Sequence, residues 1–187
     1  MKTVVITGGT GSLGTVVVSR MERDYRCVVL THAMADLGDE ASVQKAFAQI
    51  GEIYALVHLV GGFASGSVAE TTMDTWSKML SLNLTGAFVA ARAALPHLTR
   101  PGRIVAVSSI AAIEKTAGLA AYAVSKSALV TLIELIAKEN RGISANVVAP
   151  GTLDDALRAQ VAETITFLLS DAAENITGAL VPLRGPA

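Results

Sequence analysis

The β-branched run Thr3-Val-Val-Ile-Thr7 passes without a break into Gly8-Gly9-Thr10-Gly11-Ser12-Leu13-Gly14, and Thr15 to Met21 then carries the pattern of a helix. A strand that enters a helix through a glycine loop belongs to a crossover unit, and crossover units build parallel sheets. Glycines there allow unusual backbone angles and close approach, and the free N–H groups at the start of the helix can accept a pyrophosphate. Thr7, Gly8, Thr10, Gly11, Ser12, Leu13 and Gly14 are therefore candidate dinucleotide-binding residues, with a purely structural turn as the alternative.

The rest of the chain repeats the alternation. Apolar runs at Arg26 to Thr31, Tyr54 to Val60, Arg103 to Ser108, Ile143 to Val148 and Ile176 to Pro182 read as strands. Between them lie helical segments at Glu40 to Ile50, with Asp39 as N-cap, at Asp74 to Leu98, from Tyr122 to about Lys138, and at Leu157 to Ser170. A content of 51% hydrophobic and 17% charged residues suits strands covered by helices on both faces. No composition break divides residues 1–187, so the expectation is a single α/β domain, a doubly wound parallel sheet of Rossmann-like type with six to seven strands. Only His32 to Ala35 separate the second strand from Asp36-Leu37-Gly38-Asp39. That interval cannot hold a crossover helix and a further strand, so the crossover after the second strand is shortened.

Several function classes are disfavoured. No uninterrupted apolar run approaches the roughly 18 residues of a spanning helix, and the N-terminal run is too brief for a signal h-region, so the expectation is a cytoplasmic protein with no membrane partner. Cys27 is the single cysteine, so no intrachain disulfide can form, and it reads as a small buried strand residue. A formal net charge of -1, no basic cluster and 4% aromatics leave no footprint for nucleic acid. His58, inside an apolar run and without a suitably spaced ligand, reads as a satisfied core residue, so no metal is expected.

The chemistry gathers at Tyr122-Ala-Val-Ser-Lys126. A spacing of four puts a phenol and an ammonium on one helix face, one turn apart, where the ammonium favours the phenolate and makes the tyrosine a usable proton donor and acceptor. Thirteen residues upstream, Ser109 stands at the C-terminal end of a buried parallel strand, the edge where ligand sites of open α/β sheets lie. Asn83 falls within the apolar stripe of the 74–98 helix, where a buried amide must find partners, either in a polar network behind the site or in a structural helix-helix bond. Gly61-Gly62 and Pro150-Gly151 end two further strands at the same edge, and Asp36-Leu37 follows the second. Where an acidic residue commonly binds the ribose, about 20 residues past the glycines, stand Thr31 and His32, which leave NAD(H) and NADP(H) both open.

Taken in order, the Thr7-Gly8 loop, Asn83, Ser109, Tyr122-x3-Lys126, Pro150-Gly151 and Ile176-Thr177-Gly178 resemble the short-chain dehydrogenase/reductase family from end to end. The resemblance implies an NAD(P)(H)-dependent oxidoreductase moving a hydride between nicotinamide and the carbonyl or alcohol carbon of a small substrate, in a homodimer or homotetramer. It makes Tyr122 the general acid/base, has Lys126 hold the nicotinamide ribose, has Ser109 orient the substrate oxygen, and has Asn83 hold a relay water near Lys126.

The chain also departs from the family pattern. Ser12 takes the place of the middle glycine, and Gly11 gives the spacing Gly-x2-Gly-x2-Gly. His58-Leu59-Val60-Gly61 replaces Asn-Asn-Ala-Gly, closer to the Gly-Gly variant of dihydropteridine-reductase-like members. Asp155 stands where the family has a carboxamide-binding threonine, and the substrate lid after Pro150-Gly151 is reduced to Thr152 to Ala156. The alternative from another class is a weakly active or inactive dinucleotide-binding regulator that keeps the fold.

Overall fold

The computed structural model describes residues 1–185. Six strands form one parallel sheet in the order β2-β1-β3-β4-β5-β6. They are β1 (Thr3–Thr7), β2 (Arg26–Leu30), β3 (Ile53–His58), β4 (Leu98–Val107), β5 (Ile143–Pro150) and β6 (Leu180–Leu183). The chain moves outward from β1 to β2, returns across β1 to β3, and then steps to the far edge. This reversal between β1 and β3 is the switch point at which the C-terminal ends of neighbouring strands part and leave a crevice.

Alternate residues of each strand feed two cores. On one face Val5, Leu56, Ile104, Ala145 and Val147 pack under α2 (Glu40–Ile50), α4 (Gly86–Ala94) and α6 (Ala120–Glu139). On the other, Ile6, Ala55, Val57, Val105 and Val148 pack under α1 (Ser12–Met21) and α7 (Asp155–Leu169). Every residue of β3 and β5 is buried, as the unbroken apolar runs require of strands covered on both sides. Asp39 caps α2 by accepting from the Ala41 N–H, as its position indicated.

The structure changes three expectations. The 74–98 segment is not one regular helix: α3 (Met73–Leu80) runs into a π-helical turn at Ser81–Thr85 before α4 resumes, and Asn83 sits in that turn. The last strand is shorter than its apolar run, because Ile176 and Ala179 bond through their main chains to the buried Asn146 side chain before β6 begins. Finally, two helical stretches, Met73–His97 and Ala120–Glu139, do reach the length and mean hydropathy of a span, 1.2 and 1.5, although neither is an uninterrupted apolar run. Helices that cover a parallel sheet reach the same values, and α4 packs on β3 and β4 while α6 packs on β5.

Phe47, fully buried from α2, anchors the first core and stacks with His97 at 6.3 Å between ring centroids. Phe47→Ala should cost about 3–5 kcal/mol in urea unfolding with an unchanged m-value. A loss below about 1 kcal/mol would mean that the core closes without it.

Candidate active site

The loops that leave β1, β3, β4 and β5 meet at the C-terminal edge of the sheet and line two cavities that share Gly8. One, of about 430 Å³, is bordered by Ser12 to Gly14, Gly61-Gly62, Ser109, Tyr122, Lys126 and Pro150-Gly151. The other, of about 380 Å³, lies over the end of β2 and is bordered by Thr10, Thr31, His32, Asp36 and Leu37.

The glycine loop fits a phosphate group by construction. Gly8 has φ of 73°, and the Gly11 N–H closes the turn on its carbonyl at 3.1 Å. Gly11 caps α1 without any side-chain bond, leaving the first main-chain N–H groups of the helix for a ligand. A Cβ at Gly14 would collide with the Gly8 carbonyl oxygen and the Gly9 backbone, so α1 can start this close to β1 only with glycine there. At the outer cavity Asp36 accepts from the Gly38 N–H at 2.8 Å, which folds the loop after β2 into a tight turn. His32 Nδ1 stands 3.7 Å from Asp36 Oδ1, and among the described residues no lysine or arginine lines this cavity.

The inner cavity holds the reactive side chains. Ser109 Oγ accepts from the Ala111 N–H at 3.2 Å, so its own proton is free to be donated into the cleft. Tyr122 is half-buried, and its ring meets that of Phe63 edge-on at 5.0 Å. Lys126 is 5% exposed, and its Nζ donates to the Val107 carbonyl at 3.0 Å rather than to the phenol one turn away. Burial pushes its ammonium down to about 8. The helix is fixed in turn by Ser108 Oγ, which donates to the Lys126 carbonyl at 2.9 Å.

Asn83 lies behind these groups and is fully buried. Its Oδ1 accepts from the Gly62 N–H at 2.8 Å, and its Nδ2 donates to the Gly62 carbonyl at 3.1 Å and to Ser125 Oγ at 3.0 Å. The amide is thus engaged by protein groups and clamps the β3 loop to α6. Thr7 is also set back from the cavities, with Oγ1 bonded to His58 Nδ1 at 2.9 Å. His58 is fully buried, and burial, followed by the Lys126 charge, holds the ring neutral with a pKa of about 3 against a small opposing effect of the Val60 main chain. Cys27 is half-buried, and its thiol is pushed up to about 11 by burial, which leaves it unreactive. Among the described residues no cluster of metal-type ligands occurs.

Apart from Thr7 and Asn83, the candidate catalytic and cofactor-binding residues all border the two cavities, whereas Asp155 stands exposed in the first turn of α7, paired with Arg158. Sequence reasoning gave no role to Phe63 or Leu153, which line the inner cavity, or to Leu82, which lines the outer one. The signal for Phe63 was its place directly after two glycines, where it is the first side chain that can fill the opened space.

A model of the short chain dehydrogenase family matches residues 29–166. The 3-oxoacyl-[acyl-carrier-protein] reductase MabA of Mycobacterium tuberculosis is 28% identical over 226 aligned positions that cover 98% of this chain and 92% of the relative. That span exceeds the 187 residues of the chain, so the relative carries insertions that are missing here. An inactive 2-(S)-hydroxypropyl-CoM dehydrogenase 2 of Xanthobacter autotrophicus is 32% identical over 81% of this chain and 82% of its own. Among solved structures, a short-chain dehydrogenase/reductase of Serratia marcescens is 30% identical, with a TM-score of 0.86 over 98% of this chain and 96% of that one. BdcA in complex with NADPH is 25% identical, with a TM-score of 0.85 over 98% of this chain and 93% of that one. With its sheet order, glycine loop and clustered serine, tyrosine and lysine, the chain belongs to the short-chain dehydrogenase family, an oxidoreductase family that uses NAD(H) or NADP(H).

Proposed function

We propose that this protein, as one dinucleotide-binding unit over residues 1–187, interconverts a small carbonyl compound and its alcohol. The observation that carries the reading is that Ser109, Tyr122 and Lys126 border the same cavity as the uncapped start of α1. Gly8 to Gly14 would hold the pyrophosphate through main-chain N–H groups, and the outer cavity would take the adenosine against His32, Asp36 and Leu37. Gly61-Gly62 and Pro150-Gly151 would border the nicotinamide half. NAD(P)H, when bound there, would supply the hydride for the new C–H bond and be oxidised to NAD(P)+.

The chain's own side chains handle the oxygen. Ser109 donates its free proton as a hydrogen bond and orients the carbonyl. Tyr122 transfers its phenolic proton to that oxygen as it becomes an alkoxide, and regains one from solvent. Lys126 brings positive charge to the ribose side. Asn83 positions Gly61-Gly62 and, through Ser125, the helix turn of Tyr122, whose carbonyl accepts from Ser125 Oγ at 2.9 Å. The retained serine, tyrosine and lysine favour an enzyme over a dinucleotide sensor.

The family resemblance and one surface support a homodimer or homotetramer. Phe88 on α4 and Val124 and Leu135 on α6 are each about half exposed, and the two helices present more apolar surface than one sheet face covers. The cytoplasm is the proposed compartment. Nucleic acid and membrane are not proposed as partners.

Three measurements test this account. Tyr122→Phe should lower kcat by about 100-fold or more while calorimetry with NADH and NADPH shows nearly unchanged cofactor affinity. Carbonyl reduction at the parent rate would remove Tyr122 from the mechanism, and no binding of either cofactor at millimolar concentration would remove the enzyme reading.

Lys126 supplies a test of opposite sign. Its folded pKa is below its unfolded value, so the charge costs stability at neutral pH, on the order of 3 kcal/mol, and the cost fades as pH rises from 8 through 10.5. Lys126→Met should abolish turnover yet raise the Tm of the cofactor-free protein at pH 7 by a few degrees, about 1 kcal/mol being forfeited at the Val107 carbonyl. A variant that melts lower than the parent would show that the ammonium stabilises the fold. Light scattering at micromolar concentration should give a dimer or tetramer, and a monomer would contradict the proposed interface.

A further inference from the structure

The substrate side of the inner cavity lacks the covering that the catalytic groups would need. Only Gly151 to Asp154 connect β5 to α7, whose first turn is set by Asp154 accepting from the Leu157 N–H at 2.7 Å. So short a connection cannot fold over a ligand, and the cleft stays open above Tyr122. Into this opening stands Phe63. It is 66% exposed, follows two residues without side chains, and its ring lies 5.0 Å from that of Tyr122 with the planes inclined by 67°. The T-shaped contact occupies one side of the pair and leaves much of the Phe63 ring facing solvent.

The charges around the cavity narrow what could cover that ring. Among the described side chains that line it only Lys126 is charged, and Lys126 is buried. The ion pair Arg184–Glu114, which joins the end of β6 to α5 (Ala111–Glu114), is self-neutralising. The remaining wall is apolar or hydroxylic: Leu59, Val107, Leu153, Ser109 and Tyr122. A carboxylate or phosphate on the substrate would therefore meet no exposed cation among the described side chains of this wall. A flat, uncharged body would need none and would gain the exposed ring.

The geometry points to Phe63 as the specificity-determining residue of the cleft, selecting uncharged carbonyl compounds with a planar, aromatic body that stacks on its ring while Ser109 and Tyr122 take the oxygen. Phe63 thereby does part of a lid's work, since a stacked ligand excludes water from the phenol. The inference rests on the oxidoreductase reading above, and the readouts separate the two.

The experiment compares acetophenone with 2-butanone as substrates for the parent, Phe63→Ala, Phe63→Leu and Phe63→Tyr. Calorimetric cofactor binding is measured for each, and saturation-transfer NMR follows acetophenone on the cofactor-loaded protein. The parent should prefer acetophenone. Phe63→Ala should lower kcat/KM for acetophenone about tenfold, chiefly through KM, while 2-butanone changes less than about threefold. Phe63→Tyr should restore the preference, Phe63→Leu should not, and cofactor affinity should be the same in all four. Saturation transfer to the acetophenone ring should vanish in Phe63→Ala. Equal losses for both ketones, or rescue by leucine, would overturn the assignment in favour of mere bulk beside Tyr122. Ring saturation that depends on Phe63 without any turnover would uphold the assignment and defeat the hydride-transfer reading. Turnover without dependence on Phe63 would do the reverse.

Discussion

One buried amide holds the candidate site together. A carboxamide taken out of water must satisfy both its oxygen and its nitrogen, and Asn83 does so on two different elements, the Gly62 main chain and Ser125 of α6. The π-helical turn belongs to the same constraint: the Gly86 N–H reaches back to the Ser81 carbonyl, one residue farther than in an α-helix, and Asn83 lies in the widened turn. Gly61 shows how tight the result is. A Cβ there would stand 2.7 Å from Asn83 Oδ1 and 2.9 Å from Lys126 Nζ, so the β3 loop can pass between amide and ammonium only as bare backbone. The position of Tyr122 follows, because Ser125 joins the amide to the Tyr122 carbonyl.

Much of this was legible in the sequence, for a physical reason. Strands buried on both faces read as unbroken apolar runs, and a glycine loop joining strand to helix marks a crossover unit, so the sheet and the loop at its edge could be placed from residue types alone. The Tyr122 and Lys126 spacing put both on one face because α6 is regular there. What could not be read depends on partners distant in sequence. The π turn leaves the apolar stripe through Met79, Ala87 and Ala91 intact, so periodicity gives no sign of it. Thr7 has the family's position, yet its hydroxyl turns to His58, a residue fifty-one positions away. A buried amide at position 83 is compatible with a polar network or with a helix-helix bond, and only the fold shows that its partners are the Gly62 main chain and Ser125. The early start of α7 was signalled by Asp154, a good N-cap passed over in favour of the later apolar residues.

Function and stability pull apart at the same spot. Lys126 and His58 are both buried at the C-terminal edge of the sheet, each pushed towards its neutral form. A core built for stability alone would hold apolar side chains at such positions, as it does at Ala106 and Val147, which stand level with His58 on the neighbouring strands. The two apolar cores on either side of the sheet are extensive enough to carry these polar groups, which lets the site keep an amine in a nearly dry environment.

The place of β2 at the sheet's edge has a consequence in time rather than in space. With no further strand beyond β2 among the described residues, the outer cavity is walled on its outer side by the single loop from Thr31 to Gly38, and its polar groups there, His32 and Asp36, are largely exposed. A dinucleotide in this protein would be gripped firmly at its centre, by main-chain amides, and loosely at one end. Opening that loop would release the adenosine end first, so the cofactor would come off in two stages, its centre last.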